Sequence, residues 1–200
     1  MKSLLDNRPI IVVLAGPNGA GKSTFFEAHI RPTGLRFVNA DILARGLTIS
    51  AYKAADLADT LRRQLLESRE SFTFETVFSD PAGAKLAFLR EAVLAGYTVL
   101  LCFIGLSSPV LSEERVAMRV SQGGHDVPTE KLESRFPRTL ANLRDAIREL
   151  PDVWVFDNSD LREPFRKTAE FKNGQATFLA EPLPTWLVPL LPSADTPIRG

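Results

Sequence analysis

The segment Gly16-Pro-Asn-Gly-Ala-Gly21-Lys22-Ser23 constrains this chain more than any other stretch. It fits the phosphate-loop (Walker A) spacing G-x-x-x-x-G-K-[ST] and follows the almost unbroken apolar run Ile10 to Ala15. A strand that apolar is buried on both faces, as in parallel sheets covered by helices. A helix is expected to open near Ser23, so its first N–H groups and the loop amides would converge on an anion. In that arrangement Gly16, Pro17, Asn18, Gly19, Ala20 and Gly21 cradle phosphates, and Lys22 reaches the β- and γ-phosphates. Ser23 would ligate Mg2+ through its hydroxyl, and Thr24 would contact an inner phosphate. Sequences of the Asn-Lys-x-Asp type that select guanine are absent, which favours ATP or leaves the base open. The plain alternative is a glycine-rich turn without a ligand.

Four further runs, Leu35 to Val38, Thr73 to Val77, Tyr97 to Ile104 and Val153 to Phe156, alternate with helical patterns. The expected fold is α/β, a P-loop NTPase with a parallel five-stranded sheet flanked by helices, a helical lid at about 115–138 and a small C-terminal hairpin. Ala51 to Ser68 places Leu57, Leu61 and Leu65 on one face. Asp80 and Pro81 suit the start of a helix that Gly96 ends, and Ser108-Pro109 suits the start of another. Thr129 can cap a helix running to about Leu150, with Pro137 expected to kink or restart it. Residues 1–160 read as the kinase-like core, and 161–200 as an annex of the same domain. Asn173-Gly174 signals a hairpin there, and five of the 14 prolines fall in 181–200, expected to lie extended with a frayed end.

The 200 residues carry 24 Lys+Arg against 24 Asp+Glu. That balance disfavours non-specific nucleic-acid binding and anionic membrane surfaces, both of which draw on excess cation. The cations divide into 17 Arg and 7 Lys, and Arg is the fork suited to phosphate. Cys102 stands alone inside an apolar run, which excludes an intrachain disulfide and a cysteine zinc site. A signal-peptide pattern and an apolar stretch of bilayer length are both lacking, so the expectation is a soluble cytoplasmic protein.

Other positions must decide what is done with the phosphate. Asp41, after the second strand, can accept the proton of an attacking hydroxyl, or can simply cap the helix that follows. Glu75 interrupts an apolar strand near its end, where an unpaired carboxylate would be costly. It can hold a substrate hydroxyl or a Mg2+-bound water, or pair with an arginine. Arg115, Arg119, Arg135 and Arg138 flank the Gly123-Gly-His-Asp-Val-Pro128 loop. They suit a lid closing on a transferring phosphoryl group. The rival is a solvated mixed-charge helix pair, since residues 111–149 hold seven acids and seven bases. His125 has no second metal ligand nearby in sequence, and Asn158 can border a nucleotide base or make an ordinary turn.

Taken together, Gly16 to Thr24, Asn39-Ala-Asp41, Phe74-Glu75-Thr76, Arg119 to Pro128, and Arg135-Phe136 with Arg138 resemble the zeta toxin family of P-loop kinases over roughly residues 9–160. The resemblance implies ATP-dependent phosphorylation of a hydroxyl on UDP-N-acetylglucosamine, with Asp41 as base, Glu75 orienting substrate and the lid arginines on the γ-phosphate. The likeness is especially to the shorter bacterial members without a known toxin role, and a toxin held silent by an antitoxin that blocks the nucleotide site is a separate hypothesis. A nucleotide-dependent ATPase or switch acting through a protein partner is the alternative from another class.

Overall fold

The computed structural model describes residues 2–123 and 127–192. A short helix α1 (Lys2–Leu5) precedes strand β1 (Ile10–Ala15), the phosphate loop and α2 (Lys22–Phe25), which continues as a π turn over Phe26–Ile30. Next come β2 (Arg36–Val38), α3 (Ala40–Leu47), α4 (Ala51–Glu67), β3 (Phe72–Thr76), α5 (Ala84–Leu94) and β4 (Thr98–Gly105). The remainder is α6 (Pro109–Ser121), α7 (Thr129–Glu149), β5 (Asp152–Asp157), β6 (Arg166–Lys172), β7 (Gln175–Leu179) and a 3-10 turn at Val188–Leu190.

The sheet has seven strands in the order β2-β3-β1-β4-β5-β6-β7. The first five are parallel, while β6 and β7 join antiparallel beyond β5. The expectation of a purely parallel five-stranded sheet is therefore corrected: the hairpin extends the sheet rather than standing apart. Asn173 (φ 48) and Gly174 (φ 78) both take positive φ, as a two-residue hairpin turn demands.

β1 is buried along its whole length. Ile11, Val13 and Ala15 join one apolar cluster, and Ile10, Val12 and Leu14 join the other on the opposite face. Alternation on a fully apolar strand thus glues two helical layers to one sheet. Cys102 lies in the second cluster, where burial pushes its thiol up to about 12.

Several local expectations change. Helix α5 begins at Ala84, because Gly83 in the left-handed region (φ 66) separates it from Asp80 and Pro81. Ser108 does cap α6, accepting from the Leu111 amide at 3.1 Å with Pro109 in the first turn. Pro128 precedes α7, so Thr129 is its first residue rather than its cap, and α7 runs through Pro137 as one 21-residue element. On α4 the buried stripe is Ala54, Ala58, Arg62 and Leu65, leaving Leu57 exposed. The proline-rich end is packed as far as 192: Trp186 is largely buried and Leu187 wholly so. No helix among the described residues is long and apolar enough to cross a membrane.

Candidate active site

In an open parallel sheet the ligand crevice lies beyond the carboxyl ends of the strands, where connections diverge to opposite faces. Here β1 leads into the phosphate loop, β2 into Asn39 to Asp41, and β3 carries Glu75 near its end. A cleft of about 670 Å³ gathers Asn18, Gly19, Gly21, Lys22, Ser23, Thr24, Asp41, Glu75, Arg115, Arg119 and Arg135.

The loop is held from behind. Gly16 (φ +143) passes so close to β4 that a Cβ there would lie 2.1 Å from the Ile104 carbonyl oxygen. No other residue fits. Asn158, buried at 4 % exposure, donates from Nδ2 to the Ala20 carbonyl at 2.9 Å and accepts the Phe165 amide at 3.2 Å. Both ends of its amide are thus used beneath the loop, and it does not line the cleft. The expected contact of Asn158 with a nucleotide base is replaced by a bracing role. Gly21 leaves room for that amide, which a Cβ would meet at 2.9 Å. From α6, Ser112 Oγ donates to the Asn18 carbonyl at 2.7 Å. Gly16, Pro17 and Ala20 shape the loop from within the fold, since none of the three lines the cleft.

Lys22 is 6 % exposed and donates from Nζ to the carbonyls of Gly16 (3.0 Å) and Pro17 (2.9 Å). Burial lowers its pKa, opposed first by Glu75; Arg119 lowers it further and Asp41 raises it. Four charged groups named from sequence therefore share one electrostatic site. Glu75 is the hub: its Oε2 accepts from Ser23 Oγ at 2.9 Å and from Asn39 Nδ2 at 3.2 Å, while Oε1 lies 3.9 Å from Lys22 Nζ. The arginine that might have paired Glu75 is absent from those contacts.

Asp41 is not the cap of α3. Asn39 is, its Oδ1 accepting from the Ile42 amide at 3.0 Å, which leaves the Asp41 carboxylate on the cleft wall. Arg115 donates to the Ser159 carbonyl at 3.3 Å; burial lowers its pKa and Asp157 opposes this. Arg119 and Arg135 line the cleft from α6 and α7. Arg138 does not: its Nη2 lies 3.5 Å from Ser134 Oγ, and its buried Nε has no partner among the described residues. With α7 continuous through Pro137, Arg138 shares the face of Arg135 three residues on but lies one turn further along the helix, past the residues that line the cleft. His125, with Gly124 and Asp126, lies outside the described residues.

Val127 and Pro128, from the loop that the arginines flank, also line the cleft, as do Tyr52 and Lys131, which were not singled out from sequence. Tyr52 and Lys131 belong to no motif, although the place of Lys131 one turn before Arg135 offered a signal. Trp186 was missed as well: its indole donates to Asp157 Oδ1 at 3.2 Å, and the same oxygen accepts from Ser159 Oγ at 2.5 Å. That chain ends at the Ser159 carbonyl that holds Arg115.

The residues suit Mg2+. Ser23 Oγ and the Glu75 carboxylate face the cleft together, and among the described residues no cluster of three His, Cys, Asp or Glu competes as a closed metal cage. Mg2+ is typically held by one or two protein ligands, water and substrate phosphates.

None of the curated proteins compared with the chain matches it. Among solved structures, the complex of AvrRxo1-ORF1 with ORF2 and ATP shares the fold at TM-score 0.70 and 18% identity, covering 100% of this chain and 68% of that one. The PezAT chromosomal toxin-antitoxin system of Streptococcus pneumoniae follows at TM-score 0.56 and 13% identity, covering 93% of this chain and 78% of that one. Identities this low speak for the fold alone. A family model described as an AAA domain, AAA_33, matches residues 11–149, a span that contains the phosphate loop, Asp41, Glu75 and the cleft arginines. The chain belongs to this AAA_33 family and has a P-loop kinase-like α/β fold.

Proposed function

We propose that the protein is an ATP-dependent small-molecule kinase that transfers the γ-phosphoryl group to a substrate hydroxyl. The observation that carries this reading is Asp41, a carboxylate not used to cap α3 that lines the same cleft as Lys22 and Ser23. The Asp41 carboxylate takes the hydroxyl proton as the new oxygen–phosphorus bond forms, and the bond to the β–γ bridging oxygen breaks to leave ADP. Lys22 exchanges its loop carbonyls for phosphate oxygens. Arg119 and Arg135, with Arg115 beside the loop, offset the charge of the transferring group. Glu75 orients Ser23 and the acceptor side of the cleft. Ser23 would hold Mg2+, which when bound would supply further neutralisation of phosphate charge.

The resemblance to zeta toxins makes UDP-N-acetylglucosamine the first acceptor to try. Incubation of a metabolite extract with protein and Mg2+-ATP should produce a mass gain of one phosphoryl group on an acceptor, lost with Lys22→Ala. Asp41→Asn should slow that transfer by about 10²–10⁴-fold while ATP binding persists. Undiminished transfer by Asp41→Asn would remove the base assignment.

A second reading is favoured by the partners present in both similar structures, ORF2 with AvrRxo1-ORF1 and the antitoxin in PezAT. In it, the chain is a toxin held by an antitoxin, or a nucleotide switch acting through a protein. Growth arrest by the wild type but not by Lys22→Ala supports the toxin; equal growth of both rejects it. ATP hydrolysis with no phosphorylated acceptor favours the switch.

A further inference from the structure

Next to the cleft lies a second cavity of about 310 Å³, which shares Asp41, Ala55, Glu75, Val77 and Arg135 with it. Its far end is formed by Arg62 on α4 and Lys85 on α5, with Asp59 between them. Arg62 occupies a position in the buried stripe of α4 and is 6 % exposed. Its guanidinium lies 4.8 Å from the centroid of the Phe74 ring and pairs with Asp59. Lys85 Nζ reaches the same Asp59 oxygen at 2.5 Å. Two cations therefore share one carboxylate whose side chain is half in solvent.

Charge at this end is incompletely matched. Burial holds Arg62 at about 10 and Lys85 at about 8; for Lys85 the next cause is repulsion by Arg62, with Asp80 opposing and Arg63 adding to it. Asp80 is outside the cavity wall and accepts the Lys85 amide through Oδ2. Asp41 and Glu75, the other carboxylates of the wall, lie at the phosphate-loop end, where Glu75 is engaged by Ser23, Asn39 and Lys22. Desolvated cations in a cavity are costly unless an anion completes them. A guanidinium fork beside an ammonium is suited to a carboxylate or a phosphate ester.

Resting on the kinase reading, we propose that Arg62 and Lys85 form the acceptor's anion subsite, so that the substrate is a small hydroxylated compound bearing a carboxylate or phosphate that seats there while its hydroxyl meets Asp41. Such an acceptor carries both a hydroxyl and an anion, as a sugar acid or a sugar phosphate does, and is not a neutral polyol.

The test reads Lys85 directly. With a non-hydrolysable ATP analogue and Mg2+ filling the phosphate loop, the amine is labelled by an acylating reagent and quantified by peptide mass spectrometry. Gluconate, glucose 6-phosphate and glucose serve as probes. Labelling should slow about tenfold with an anionic probe at roughly ten times its Kd, and not with glucose. Protection by gluconate alone assigns a carboxylate, and by glucose 6-phosphate alone a phosphate. Asp59→Asn, which removes the competing carboxylate, should tighten protection by about threefold or more; a purely structural triad would lose stability with no gain in protection. Equal Lys85 labelling under all three probes overturns the subsite while leaving the kinase reading to its own phosphoryl-transfer assay.

Discussion

On the nucleotide side of the cleft, Gly16 under β4, Asn158 beneath Ala20 and Ser112 against Asn18 each hold the loop through a separate contact. On the acceptor side, Asn39 and Ser50 cap α3 and α4, but α3 buries none of its residues, and Ile42 and Leu47 are more than half exposed. Phosphate geometry is common to every substrate such a fold can use, so it is fixed by the protein core. The proposed acceptor wall draws on α3, which buries none of its residues, and on the exposed face of α4, where side chains can change without disturbing the sheet. Rigidity where chemistry is invariant and latitude where specificity is chosen is the division expected of sites grafted onto a common fold.

The strongest way to break that contrast is Gly16→Ala. The new Cβ would lie 2.1 Å from a backbone oxygen in a chain at φ +143, so either β1 or β4 must move. A loss of about 3 kcal/mol or more in denaturant unfolding is expected, with ATP binding abolished. Native stability in this variant would mean that the loop is not held by β4. Asn158→Ala is milder: it orphans the Ala20 carbonyl and the Phe165 amide, at about 1–3 kcal/mol, and weakens ATP binding without changing acceptor preference. Thermal unfolding with and without Mg2+-ATP separates the two effects.

The acceptor side has a pH signature. Lys85 holds its proton below about 8 when folded, whereas its ordinary value is 10.5. Between those values the unfolded chain binds a proton that the folded chain has released, so Lys85 makes stability rise with pH across this window, and its penalty is full below about 8. Gluconate affinity should run the opposite way, falling about tenfold as pH rises through 8 while Arg62, at about 10, keeps its charge. Arg63, Asp59 and Asp80 also face this lysine. Unfolding and probe-binding titrations that slope together would reject Lys85 as a ligand of the anion.

How far the sequence reveals this site depends on contact range. The phosphate loop is contiguous, and its glycines, lysine and serine are spaced by the ligand itself, so it is readable in eight residues. Asp41 and Glu75 are readable because they stand at strand ends where a carboxylate lacks a packing reason. Asn158 is different: its partner is 138 positions away, and an Asn after a strand looks like any turn residue. Trp186 is hidden for the same reason, within a proline-rich tail whose composition suggests solvent rather than core. Arg62 was half legible. It sits four residues after Ala58 on the buried face of α4, and a charge in that stripe is a signal. The leucine spacing at 57, 61 and 65 drew attention to a neighbouring face instead. Arg138 shows the converse failure: a motif expectation placed it in the cleft, and although it shares a face of α7 with Arg135, it stands one turn beyond the residues that line the cleft.

The smallest expected effect concerns Tyr52, which is 78% exposed at the second position of α4 and lines the mouth of the cleft. A large aromatic so open to water adds little to the core, so Tyr52→Ala should change stability by no more than about 0.5 kcal/mol. Its ring borders the cleft that also holds Lys131 and Pro128, and an acceptor entering toward Asp41 passes beside it. Loss of that face should raise the acceptor KM about threefold, within the range of a single exposed stacking contact, and leave the ATP KM unchanged. Tyr52→Phe, which keeps the ring and loses the hydroxyl, should restore the acceptor KM if stacking is the interaction. An acceptor KM that follows the hydroxyl instead, low with Tyr and high with both Phe and Ala, would make Tyr52 a hydrogen-bonding contact to substrate. A shift in the ATP KM with either variant would move Tyr52 to the nucleotide side and dissolve the division between a rigid phosphate floor and an adjustable acceptor wall.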